Sequence, residues 1–102
     1  MKLLVIRPQA QMDVREIWEW IAKDNEPAAD RVEAAIYSKI EKLARIPNIG
    51  HPRADVPNQS YLFVNVYSYA ICYKYDDEFL TIVRVLHVSR DFPTLFGDPK
   101  ND

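Results

Sequence analysis

With one cysteine, Cys72, in 102 residues, the chain has no internal disulfide and no cysteine pair to begin a zinc site. A small buried residue in a reducing compartment is the expectation for it. Glycine is nearly as scarce, with two residues. Long hydrophobic runs are missing: the N-terminal MKLLVIRP holds only LLVI, too short for a signal-peptide core and far below the roughly 20 residues that cross a bilayer. A cytoplasmic protein is therefore expected, and Asn58-Gln59-Ser60 reads as a chance match to the glycosylation sequon. An excess of one charge is lacking too. Lys and Arg number 13 against 15 Asp and Glu, a net charge of −2. That argues against a phosphate backbone as the main partner, because affinity for nucleic acid rests on Lys and Arg neutralising phosphates. No repeat or low-complexity segment interrupts the chain.

What remains is enough for one core: 48% of the residues are apolar, which predicts a single domain over residues 1–96 with a loose tail at 97–102. Residues 3–6 read as a short strand buried on both faces. Proline then opens a helix from Pro8 to about Asp24, with Ala10, Val14, Ile17, Trp18 and Ile21 on one face and Asp13, Glu16, Glu19 and Lys23 mostly off it. Asn25 is expected as a left-handed C-terminal cap, and a second helix follows from Pro27 to about Ile46, antiparallel to the first. The segment 47–59, with three prolines, is a loop. Beyond it the period falls to two, predicting three antiparallel strands with turns at 65–68 and 76–78. FLTIVRVLHV, the longest apolar run, reads as the central strand, with LLVI beside it and a short helix around residues 92–96 after it. The fold class is α+β, in the order β-α-α-β-β-β, with a helix hairpin on one face of a small, mostly antiparallel sheet. The other face is expected to be polar or to await a partner.

Three groups of residues are candidates for chemistry or binding. In a regular last strand Arg84 would share a face with Leu80, Ile82 and Leu86, and His87 would point oppositely with Val83 and Val85. A His–Arg couple would then need a bulge or a strand that ends by Leu86, so Arg84 is expected to pair with an acid and His87 to be hydrogen-bonded. Trp18 is expected in the core and Trp20 off it, towards a partner. Tyr61, Tyr67, Tyr69, Tyr73 and Tyr75 are dense enough for cross-strand packing or for a peptide groove. Lys39, Lys42, Arg45, His51 and Arg53 make the end of the second helix and the next loop locally basic. This reads equally as a solvated face and as a binding patch. No cofactor and no metal-ligand set is read from the chain.

The helices of PQAQMDVREIWEWIAKDNEPAADRV, the loop IPNIGHPR and the strands of YAICYKYDDEFLTIVRVLHVSRD together resemble the RelE/ParE superfamily, in particular its ParE branch, over about residues 2–95. Its most specific marks are Pro47, Gly50, Pro52 and Arg53 in the loop, and Arg84 to His87 followed by Arg90-Asp91. The resemblance implies a bacterial toxin of a type II toxin–antitoxin pair, neutralised by a small cognate antitoxin through which alone it reaches operator DNA. ParE-like members act on DNA gyrase; RelE-like members cleave messenger RNA on the ribosome. RNA-cleaving relatives carry an arginine after the tyrosine of the third strand, where this chain has Tyr69-Ala70-Ile71, and lysines in the second strand, where SYLFVNV has none. A gyrase inhibitor without catalytic residues is therefore expected. The alternatives are a metal-independent endonuclease using His87 with Arg84 or Arg90, and a degenerate antitoxin-binding module. Target contacts are expected at Arg53, Arg84, His87 and Arg90, and antitoxin contacts at Trp20, Tyr61, Tyr69, Tyr73 and Tyr75. In place of the family's usual Thr or Ser before the helix-opening proline stands Arg7, so a side-chain cap is not expected.

Overall fold

The computed structural model describes residues 1–97; most of the tail expected at 97–102 lies outside the described residues. The element order is β1 (Leu3–Ile6), α1 (Pro8–Ala22), α2 (Glu26–Arg45), β2 (Leu62–Val66), β3 (Tyr69–Tyr75), β4 (Phe79–His87) and α3 (Phe92–Leu95). The sheet runs β1-β4-β3-β2, with β1 parallel to β4 and the other pairs antiparallel. This is the expected α+β arrangement, with the long β4 inside. No helix among the described residues is long and apolar enough to cross a membrane.

Local chemistry accounts for the helix ends. Pro8 opens α1 after Arg7, whose extended backbone caps the helix with no side-chain hydrogen bond, as expected. Asn25 does something other than expected. Its backbone is extended (φ −161°), and its side chain accepts the Ala28 N–H at 3.0 Å, so it caps the start of α2 rather than the end of α1. With a proline two residues on that cannot donate, an amide side chain at this position satisfies an orphan donor better as an N-cap.

The helix-facing core joins Ala10, Val14, Ile36, Ile40 and Leu43 to Ile71, Tyr73, Leu80, Ile82 and Val85. Tyr73 is fully buried, and its hydroxyl accepts the Gly50 N–H at 2.8 Å while donating to the Pro47 carbonyl at 2.7 Å. This fastens the loop after α2 to the sheet. Gly50 cannot carry a side chain there, because a Cβ would lie 2.6 Å from that hydroxyl.

Three expectations are corrected. β1 is not buried on both faces: Leu3, Leu4 and Val5 are 58%, 41% and 40% exposed. An apolar run does not reveal whether neighbours lie on both sides, and β1 is the edge strand, with Ile6 alone packed against the core. Trp18 is not core. It is half-buried beside α2, where its indole N–H donates to Asp30 at 2.8 Å. Nor is the second sheet face polar or vacant. Val56 and Tyr61 from the 46–61 loop and Phe92 and Phe96 from the α3 segment cover Phe63, Ala70, Cys72, Val83 and Leu86. The rings of Phe92 and Phe96 lie 5.7 and 5.8 Å from that of Phe63, and irregular chain thus serves as the second layer.

Burial pushes the Cys72 thiol up to about 12. At pH 8 the native protein is therefore expected to resist alkylation by iodoacetamide and the urea-unfolded chain to react readily. Equal labelling rates in the two states would contradict this burial.

Candidate functional site

β1 stops at Ile6, and its last bond to β4 is the Arg7 N–H to the Ile82 carbonyl at 3.1 Å. The remaining residues of β4 run on past that end, with α1 beside them. Asp13 of α1 meets them there. Its carboxylate accepts from Arg84 Nε at 2.8 Å and Nη2 at 3.0 Å, and from the Val85 backbone N–H at 3.0 Å. Gln9 Nε2 adds a longer contact at 3.4 Å. Asp13 is 4% exposed, so it is a buried carboxylate fully supplied with donors. The hydrogen bond to Asp13 also holds the Arg84 guanidinium above its usual range, against the opposing effect of its own burial. Arg84 was expected to pair with an acid, and it does.

The regular strand assumed for β4 is corrected by a bulge. Cys72 pairs with Arg84 while its neighbour Tyr73 pairs with Ile82, so β4 carries one extra residue at Val83. Beyond it the faces exchange: Val85 joins the helix-side cluster and Leu86 the opposite one. His87 is then brought opposite Tyr69, its ring edge-to-face at 5.4 Å. His87 Nδ1 accepts the Ser89 N–H at 3.0 Å and lies 2.8 Å from Ser89 Oγ. This geometry assigns the proton of the neutral ring to Nε2.

Asp13, Glu16, Ile17 and Trp20, at helical spacing on α1, face Tyr69, Val85, Leu86, His87 and Arg90 across a cleft of about 270 Å³. Arg90 is held near by its N–H to the His87 carbonyl at 3.0 Å. Trp20 is 69% exposed, off the core as expected, with Lys23 Nζ 5.2 Å from its ring centre. The cleft thus sets two exposed or half-exposed aromatics beside two carboxylates, a guanidinium and an imidazole. Such a mixture suits contact with a protein surface. Among the described residues no group of three or more His, Cys, Asp or Glu side chains could hold a metal ion.

Of the residues singled out in the sequence, Trp20, Tyr69, His87 and Arg90 come together here. The others do not. Arg84 is spent on Asp13 and does not line the cleft. Arg53 lies against the loop-covered face, 4.2 Å from the centre of the Phe92 ring. It is paired twice with Asp55 at 2.9 Å, a contact that raises its own pKa and lowers that of Asp55. Tyr61 and Tyr73, expected as antitoxin contacts, are corrected to core residues, at 4% and 0% exposure. Alternation along a strand shows which residues share a face, but not whether the chain itself covers that face. Tyr75 is exposed at the other end of β3, with Lys2 Nζ 5.3 Å from its ring centre. Asp13 and Glu16 were missed. Asp13 lies three residues after Ala10 and four before Ile17, on the apolar face, and that spacing was the available signal.

The family described as the ParE toxin of the type II toxin–antitoxin system parDE matches residues 4–92, which run from within β1 to the start of α3 and take in the whole cleft. The RelE3 toxin of Caulobacter vibrioides is 25% identical over 87 residues, covering 85% of this chain and 95% of that protein. Among solved structures, the chromosomal ParDE system of P. aeruginosa superposes with a TM-score of 0.70 at 16% identity, over 85% of this chain and 96% of that one. The RelBE2 toxin–antitoxin complex of Mycobacterium tuberculosis gives 0.65 at 20% identity, over 84% and 96%. These two likenesses speak for the fold, and the family match speaks for the lineage: this chain belongs to the ParE toxins of type II toxin–antitoxin systems, within the RelE/ParE superfamily.

Proposed function

We propose that this toxin acts in the cytoplasm by protein contact, docking DNA gyrase in the cleft between α1 and the end of β4 and so blocking replication. Trp20 and Tyr69, expected from the sequence to meet the antitoxin, are read instead as aromatic anchors for the target, with Glu16, His87 and Arg90 around them. A small cognate antitoxin, carrying the DNA-binding domain of the pair, neutralises it.

The observation that supports this reading is the state of the strand arginine. Arg84 is locked to the buried carboxylate of Asp13, while Glu16 adds a second negative charge to the cleft lining. Asp13 and Arg84 cancel each other, so an RNA backbone would meet Glu16 against the single guanidinium of Arg90, a balance that offers phosphate no net attraction. With Nδ1 engaged by Ser89, a neutral His87 offers Nε2–H to the cleft as a donor, not as a base.

One observation favours the ribosome-dependent endonuclease instead: the bulge at Val83 brings His87 into one cleft with Arg90. The test is inhibition of gyrase supercoiling by the purified toxin. Trp20→Ala is expected to weaken inhibition by about tenfold or more, the usual cost of losing an interface anchor, while the unfolding midpoint stays put. His87→Ala is expected to retain most of the inhibition. Cleaved transcripts on induced expression, abolished by His87→Ala, would replace this reading with the endonuclease; unimpaired growth on expression would point to a degenerate antitoxin-binding module.

A further inference from the structure

The sheet edge at β1 is unguarded. Natural edge strands carry lysines, prolines or bulges that keep a second strand away, but LLVI has none of these and its register with β4 is unbroken. The nearest lysine, Lys2, is drawn off, its ammonium donating to the Asp76 and Asp77 carbonyls beside the Tyr75 ring. Leu3, Leu4 and Val5 meanwhile leave much of their apolar surface in water.

The backbone groups along this edge identify what covers it. Leu3 and Arg7 donate to the Glu78 and Ile82 carbonyls, so residues 3, 5 and 7 turn inward to β4 and residues 2, 4 and 6 turn outward. Two of the outward groups are already taken. The Lys2 N–H donates to the Ala44 carbonyl at 2.9 Å, and the Ile6 carbonyl accepts from Gln11 Nε2 at 3.3 Å. That leaves the Lys2 carbonyl, both groups of Leu4 and the Ile6 N–H without a partner among the described residues.

This remainder is its own complement. When a second copy is set antiparallel about a two-fold axis at Leu4, the two Leu4 residues exchange both their hydrogen bonds and each Ile6 N–H meets the partner's Lys2 carbonyl. The groups that such a ladder leaves idle, the Lys2 N–H and the Ile6 carbonyl, are the two satisfied within the chain. A strand of another protein would face those occupied positions with an acceptor and a donor of its own unpaired. The same register lays Leu3 beside the partner's Val5 and Leu4 beside the partner's Leu4, so the three exposed side chains cover one another.

We infer that β1 is an interface between two copies of this chain, which pair antiparallel about Leu4 and join their four-stranded sheets into one. None of these residues lines the cleft, so the pairing does not rest on the gyrase reading. The contact is shorter than a standard interface, and a reversible dimer with a dissociation constant on the order of 10 μM is expected.

Sedimentation velocity of the whole chain over a dilution series tests this. Leu4→Pro removes only an outward N–H, which an edge strand tolerates, and with it both central bonds; dimerisation about tenfold weaker is expected. Leu3→Glu and Val5→Lys, each alone, set a charge against an apolar side chain twice across the axis, and each is expected to weaken the dimer about tenfold. Combined, they bring opposite charges face to face, and affinity is expected to return to within about threefold of the unaltered protein. Both positions are exposed, so this pair keeps the question open to measurement if the proline variant unfolds. A monomer at every concentration, a dimer indifferent to all these changes, or a double variant weaker than either single one would overturn the proposal. So would open-ended aggregates in place of a closed dimer, because the two-fold pairing uses up the edge.

Discussion

Replacing Asp13 with alanine is expected to lower the unfolding free energy by about 3 kcal/mol or more, the usual cost of removing one partner from a buried ion pair. Three groups lose their acceptor at once: the Arg84 Nε and Nη2 donors and the Val85 N–H. The Arg84 guanidinium, with its side chain only 24% exposed, would remain as a charge largely withdrawn from water. Asp13→Asn keeps one acceptor oxygen but removes the charge, and about half the loss is expected, since a neutral acceptor makes hydrogen bonds of roughly half the strength. Urea unfolding measures both, and an Asp13→Ala midpoint unchanged from wild type would remove the pair from any structural role. The consequence reaches the cleft, because the stretch that Asp13 pins leads straight into His87. If the proposed docking on gyrase holds, a folded but loosened Asp13→Asn protein is expected to inhibit gyrase more weakly than its stability loss alone would explain.

Phe92→Ala is the other large loss, about 3 to 5 kcal/mol as for a fully buried phenylalanine. Phe92 packs against Phe63 and Phe96 on the face away from the helices, and the Arg53 guanidinium rests on its ring. Little neighbouring chain could collapse into the space, since α3 is four residues long. Truncation would leave the second core layer to Val56, Tyr61 and Phe96. Thermal unfolding and binding of an environment-sensitive dye together test this: a lowered midpoint with new apolar surface is expected. A change below about 1 kcal/mol would mean that the face is not held closed by α3.

These two sites differ in how far the sequence announced them. Asp13 could have been placed by helical spacing, since it falls within the stripe formed by Ala10, Val14 and Ile17. Its partner could not, because Asp13 and Arg84 stand 71 positions apart and the chain between them carries no local trace of the pairing. Phe92 sat in a short segment after the last strand, where neither period applies, and nothing nearby in the chain signalled that it would cover the sheet. His87 was placed on the wrong face for a definite reason. Alternation holds only while the ladder is regular, and one extra residue at Val83 exchanges the faces of everything after it. Trp20 and Tyr69 were legible as candidates, one from its position off the apolar stripe and the other from the aromatic density of the strands.

The sequence alone determined the element order, the helix pair, the three antiparallel strands, a buried Cys72 and the resemblance to the RelE/ParE superfamily. Each of these rests on local periods, caps and turns, or on patterns written along the chain. The tertiary structure alone decided which strand is the edge, what covers the second face, that Arg84 is consumed by Asp13, and that Trp20, Tyr69, His87 and Arg90 share one cleft. Those outcomes depend on contacts between residues distant in the chain and on one bulge, and local chemistry is nearly the same whether or not they form.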